Sequence, residues 1–123
     1  MVEPAPCIPA ENERSIPSRS FAEILRAAMD RKVPFRFRAK GASMFPFLRD
    51  GDVITLHPVS TFPPATGSVV AFVHPRSGRL VVHRIVGRER NGFFLRGDNA
   101  ATVDGPVPDE NILGTVTGIR RNG

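Results

Sequence analysis

The chain contains no tryptophan and no tyrosine, and all nine of its aromatic residues are phenylalanine. It therefore offers few stacking platforms for single-stranded nucleic acid. A single cysteine, Cys7, rules out an intrachain disulfide and leaves the redox compartment undetermined. Three histidines, His57, His74 and His83, are spaced 17 and 9 residues apart. That spacing matches no common zinc pattern, so neither a metal nor any other cofactor is expected. No apolar run approaches the roughly 18 residues that span a bilayer, and the N-terminus has no basic-then-apolar export signal. The chain reads as soluble, cytoplasmic and not exported by the general route, with peripheral membrane association left open. Lysine is also scarce: Lys32 and Lys40 stand against 15 arginines, for a net charge of +5. The arginines are scattered singly, without a basic run, which favours a solvated surface over a nucleic-acid partner.

Length and composition fit one globular domain: 123 residues, 41% hydrophobic and 24% charged. Residues 1–17 carry Pro4, Pro6, Pro9 and Pro17 with no regular period and read as a flexible tail. Residues 18–33 hold the one convincing helix. Ser20 and Glu23 have capping-box spacing, Phe21, Ile24, Leu25 and Ala28 repeat as one helix face, and Pro34 ends the helix near Asp30 to Lys32. Residues 34–123 change to strand periods. Phe35, Phe37 and Ala39 alternate with Arg36, Arg38 and Lys40, and Lys40 falls in the outward-facing row. Further strands are expected over 53–57, 68–73, 80–88, 93–96 and 112–119, with a loop from Gly97 to Pro108. Asn91-Gly92 is expected to form a type I′ hairpin turn. The fold class is mainly β: a small, antiparallel, strongly bent β domain with one N-terminal helix.

Between the first two strands lies Gly41-Ala42-Ser43-Met44-Phe45-Pro46-Phe47-Leu48. Glycine permits a tight turn there and proline forbids a helix, so Ser43 sits on a stiff, apolar-lined bend. On local grounds Ser43 is a turn serine bonded to its own backbone; a chemical role requires an activating group from elsewhere. His83 can supply one. Flanked by Val81, Val82, Ile85 and Val86, its ring would be favoured in the neutral form, which suits a general base. The hairpin centred on Asn91-Gly92 would bring His83 near the segment from Asp98 to Asp104, where an acid could orient the imidazole. Asp98 and Asp104 also suit ordinary turns, and both readings stand at this level.

Four stretches, in order, resemble the type I signal peptidases and their relatives, the self-cleaving repressors. The bend with Asp50-Gly51-Asp52 resembles the nucleophile box, and Gly67-Ser68-Val69-Val70-Ala71-Phe72 resembles the Gly-Asp-Val-Val strand, with Ser68 in place of aspartate. Val82-His83-Arg84-Ile85-Val86 resembles the base-bearing strand, and Gly97-Asp98-Asn99 with Asp104 resembles the acidic box. Histidine, not lysine, in the base-bearing strand is similar to the endoplasmic-reticulum and archaeal type.

The resemblance implies a signal-peptidase-like fold and a serine endopeptidase that cuts a leader, signal or propeptide after small residues. By it Ser43 is nucleophile, His83 general base, Asp104 its orienter and Asp98 a second supporting carboxylate. Gly41, Met44, Pro46, Val70 and Phe72 would meet the polypeptide substrate. The oxyanion donor would be the Ser43 N–H, because Gly41 stands where some members supply a serine hydroxyl. Two other readings keep the fold: a non-catalytic module that binds extended peptides, and a self-cleaving regulator. A DNA-binding repressor is disfavoured, because one helix is too few for a helix-turn-helix domain.

Overall fold

The computed structural model describes residues 18–121. The expected proline-rich tail over 1–17 lies outside the described residues. One helix, α1 (Ser18–Asp30), precedes seven strands: β1 (Phe35–Arg38), β2 (Val53–Pro58), β3 (Val69–Val73), β4 (Leu80–Glu89), β5 (Gly92–Arg96), β6 (Val103–Val107) and β7 (Ile112–Arg120). All pair antiparallel in one sheet, in the order β1-β2-β7-β3-β4-β5-β6. Among the described residues no helix is long and apolar enough to cross a membrane.

The helix begins at Ser18, so Ser20 lies in its first turn and not at its cap. Phe21, Ala22, Leu25 and Met29 form the buried arc, whereas Ile24 is 43% exposed. At roughly 100° per residue Ile24 falls outside the arc centred between Phe21 and Met29, so the expected apolar face is rotated by part of a turn. The helix stops where Lys32 takes a left-handed φ of 62°. The Lys32 N–H donates to Met29 O and the Val33 N–H to Ala28 O, a Schellman arrangement completed by Pro34.

β3 is apolar along both faces, which places it inside the structure. Val69 and Ala71 join Phe21, Leu25, Met29, Phe37, Ile54, Leu56 and Leu113 beneath α1. Val70 and Phe72 face the other way and pack with Ile85, Phe93, Leu95, Val107 and Ile112. The Phe21 ring meets Phe37 edge-on at 5.3 Å, tying α1 to β1.

Two local expectations are corrected. The β4–β5 hairpin pairs Glu89 with Gly92, so Arg90 and Asn91 are its central residues. Neither has positive φ, and the turn is therefore not type I′. Gly92 serves another end: a side chain there would collide with the Val107 carbonyl of β6. The expected loop after Gly97 contains β6, which pairs with β5 through Leu95↔Asp104 and Arg96↔Val103. Gly105 and Pro106 disguised it as a turn, and a strand at the sheet edge tolerates both.

Candidate active site

After β1 the chain closes a loop on itself. The Ala39 N–H donates to Asp52 O at 2.7 Å and the Gly51 N–H to Ala39 O at 2.9 Å. Within it Gly41 adopts φ 89°, a conformation costly for other residues, and its N–H donates to Asp50 Oδ1 at 2.8 Å. Met44 and Leu48 are driven into the core, and Ser43, one residue before Met44, stays exposed at the bend. The bend is thus pinned on its apolar side while its hydroxyl faces outward.

Asp52 fixes the base of the loop. It is 2% exposed, accepts the Arg49 N–H at 2.8 Å, and is gripped by Arg121 Nε and Nη2 at 2.9 and 2.7 Å. The Arg121 guanidinium holds the Asp52 carboxyl below the usual carboxylate range, against the opposing effect of burial. Arg121 Nη2 also donates to Phe47 O at 3.3 Å, so the end of β7 is tied to the bend.

His83 stands on β4 opposite Val70 of β3. Its Nε2 lies 3.2 Å from Ser43 Oγ, and its Nδ1 lies 2.8 Å from Asp104 Oδ2. A carboxylate only accepts, so Nδ1 carries the proton and Nε2 is left to accept from the Ser43 hydroxyl. The second Asp104 oxygen faces His74 Nε2 at 3.5 Å. The three side chains come from the bend, β4 and β6, and only the sheet order brings them together.

Asp98 takes a different partner. Arg84 grips it through Nε and Nη2 at 2.8 and 2.7 Å, which holds its carboxyl below the usual range. The same arginine donates to Gly67 O at 3.0 Å and lies over the Phe47 ring at 4.8 Å. The Asp98 N–H meets Met44 Sδ at 3.3 Å. Next along, Asn99 donates from its backbone to Ser43 O at 2.8 Å and from Nδ2 to Ala42 O at 3.1 Å. Gly97 completes the segment: a Cβ there would lie 2.5 Å from Ser43 O and 3.0 Å from His83 Nε2. Only glycine permits that approach.

A cavity of about 540 Å³ opens beside Ser43 and His83, between residues 37–41 and 80–83. Gly41 and Met44 line it; Pro46, Val70 and Phe72 do not. Val70 and Phe72 have no exposed surface, and the Phe72 ring backs the His83 ring at 6.2 Å. Both therefore lie behind the histidine and away from the cavity wall. Lys40, expected on an outward row, is exposed beyond the end of β1 and also lines the cavity.

Gly97, Asn99 and Arg84 entered the sequence reading only as members of the matched boxes, and His74 only among the three histidines; none was given a role. Their contacts run between segments distant in the chain, and no local pattern carries that information. Among the described residues the Ser43 N–H has no protein acceptor, and no cluster of three His, Cys, Asp or Glu could hold a metal.

A search of curated proteins finds no match. A family model described as Peptidase S24-like matches residues 6–117, a span that includes the bend, β4 and β6. The chain belongs to this family of serine peptidases.

Proposed function

We propose that the chain is a serine endopeptidase of the serine–histidine type, acting on a leader, signal or propeptide through Ser43, His83 and Asp104. One observation carries the reading: an unbroken hydrogen-bonded line from Ser43 Oγ through the His83 ring to Asp104, at 3.2 and 2.8 Å. Ser43 Oγ attacks the scissile carbonyl carbon while its proton passes to His83 Nε2. The negative charge that develops on the carbonyl oxygen is met by the Ser43 N–H. Collapse breaks the C–N bond as His83 Nε2 protonates the leaving amine, and water, deprotonated by the same nitrogen, then hydrolyses the ester. Asp104 holds the tautomer and stabilises the imidazolium in each half of the cycle. Asp98 serves as a positioning residue through Arg84.

The cavity supports an extended peptide as substrate. β1 stands at the edge of the sheet order, and β5 pairs with β4 only from Arg84 onward. A chain laid between the two could add as a strand. Peptide libraries of Ala-x-Ala form test the reading, and cleavage by wild type that is equalled by Ser43→Ala refutes it. Because the base must be neutral, activity is expected to rise with pH as the His83 ring loses its proton.

The same cavity would suit a non-catalytic peptide-binding module. A fluorophosphonate probe separates the two, since only an activated Ser43 is labelled covalently. A self-cleaving regulator differs again in cutting its own chain at a rate independent of protein concentration.

A further inference from the structure

The proposed mechanism uses one oxygen of Asp104 and leaves the other to His74. His74 follows β3 and opens the turn into β4, where its backbone N–H donates to Arg79 O and its carbonyl accepts from Gly78 N–H, both at 2.9 Å. Its ring is half-buried beside Phe72, with centroids 6.4 Å apart. The Arg76 N–H donates to His74 Nδ1 at 3.1 Å. An accepting Nδ1 has no proton, so the neutral ring carries its hydrogen on Nε2, the atom facing Asp104 Oδ1 at 3.5 Å. Asp104 is thus shared between two imidazoles, closely with His83 at 2.8 Å and more loosely with His74.

We infer that His74 is a positioning residue that sets, through Asp104, the readiness of His83 to accept the Ser43 proton, and that its protonation slows the enzyme. The inference rests on the catalytic reading of Ser43 and His83. Neutral His74 faces the carboxylate at 3.5 Å without a hydrogen bond and leaves its charge to His83. Protonated His74 forfeits the hydrogen bond from the Arg76 N–H and gains an ion pair with Asp104. The carboxylate then serves two cations at once, so formation of a second imidazolium at His83 is opposed both by lost stabilisation and by repulsion. The charged groups around the pair include Arg96 of β5, which helps hold the Asp98 carboxyl low. Asp104 comes from β6 and His83 from β4, while Asp98, beyond His83, is occupied by Arg84. Arg76 and Arg79 of the His74 turn are exposed.

The test needs a readout independent of catalysis. Imidazole NMR titrations of wild type and His74→Gln supply it, because glutamine keeps an N–H donor but cannot charge. In wild type the two rings are expected to titrate as a coupled, two-step pair. In His74→Gln the His83 curve becomes a single step and moves to higher pH. Superimposable His83 curves overturn the inference.

Fluorophosphonate labelling of Ser43 against pH gives the second arm. The acid limb is expected to change from a two-proton to a one-proton slope in His74→Gln. His74→Phe, which likewise cannot charge, is expected to show the same one-proton slope. If both variants slow equally with an unchanged pH profile, His74 is merely structural and the inference fails. A wild type that takes no label at any pH sinks the Ser43 chemistry instead, and the NMR arm still decides whether His74 and His83 are coupled.

Discussion

Replacing Gly97 by alanine adds one methyl group at the point where the 97–99 segment, the Ser43 bend and the His83 ring come closest. The new carbon would lie 2.5 Å from Ser43 O, 3.0 Å from His83 Nε2 and 3.1 Å from His83 Cδ2. The first contact is roughly 1 Å inside van der Waals separation. The obstacle is backbone, so it cannot yield by a rotamer change. The Ser43 carbonyl is also held by the Asn99 N–H at 2.8 Å, which resists movement away. Either the bend retreats or the His83 ring tilts, and in both cases the Ser43–His83 distance opens. A misplacement of about 1 Å costs on the order of 100-fold in rate. Overpacking of this kind costs about 1–3 kcal/mol, or a Tm loss on the order of 5–15 °C.

Single-turnover labelling of Ser43 measures the rate without a known substrate, and circular dichroism measures Tm. Gly67→Ala is the control, because that glycine has φ 97° and open space around a Cβ. It should cost a few degrees through backbone strain alone and keep its labelling rate. Gly97→Ala that is folded and labels at the wild-type rate would refute the close-approach argument.

Three other outcomes follow from the same geometry. Asp104→Asn should lower the labelling rate by about 10²–10⁴-fold, because an amide can stabilise the wrong imidazole tautomer and cannot balance the imidazolium; unchanged labelling would remove Asp104 from the mechanism. Asp52→Asn should reduce stability at neutral pH and flatten its acid dependence. The folded carboxyl titrates below its ordinary value of about 3.9, so its contribution is complete above that pH and is lost as pH falls through the depressed value; urea unfolding at several pH values checks this, and parallel profiles for variant and wild type would contradict it. Gly92→Ala should loosen β6 by collision with the Val107 carbonyl, and hydrogen exchange across Val103–Val107 should accelerate relative to β3.

Much of the architecture was legible because it follows from periodicity. Phe35 and Phe37 alternate with arginine and do face α1, and the apolar run of β3 does lie buried. What failed depended on neighbours that no local pattern names. Ile24 belongs to the helical repeat by spacing, yet the buried arc is set by where the sheet lies beneath the helix. Gly105-Pro106 reads as a turn unless the strand is known to be an edge. Gly92 looked like a turn glycine, whereas its lack of a side chain lets β6 come close. The candidate site divides in the same way. Ser43, His83 and Asp104 stood out only through the four ordered boxes that resemble the peptidase family. The choice between the two aspartates was not legible, because it rests on the β5–β6 register, which sets Asp104 opposite Leu95, and on an arginine competing for Asp98.

That competition gives Asp98 a role separable from that of Asp104. His83 and Arg84 are consecutive on β4 and so project to opposite faces of the strand. The Asp98 carboxylate goes to the Arg84 side, Asn99 holds the carbonyls of Ala42 and Ser43, and Gly97 lies against the His83 ring. Gly97, Asp98 and Asn99 thereby clip β4 to the Ser43 bend, and only Gly97 lies against the His83 ring. Asp98→Asn keeps the shape of the clip while removing its charge, so the labelling rate should fall modestly, by roughly tenfold or less. The pH profile should remain that of wild type, since the Asp98 carboxyl is held below the usual range and stays ionised around neutral pH. A changed profile in Asp98→Asn, matching that of Asp104→Asn, would mean that both carboxylates act on the imidazole and that the clip is the wrong account.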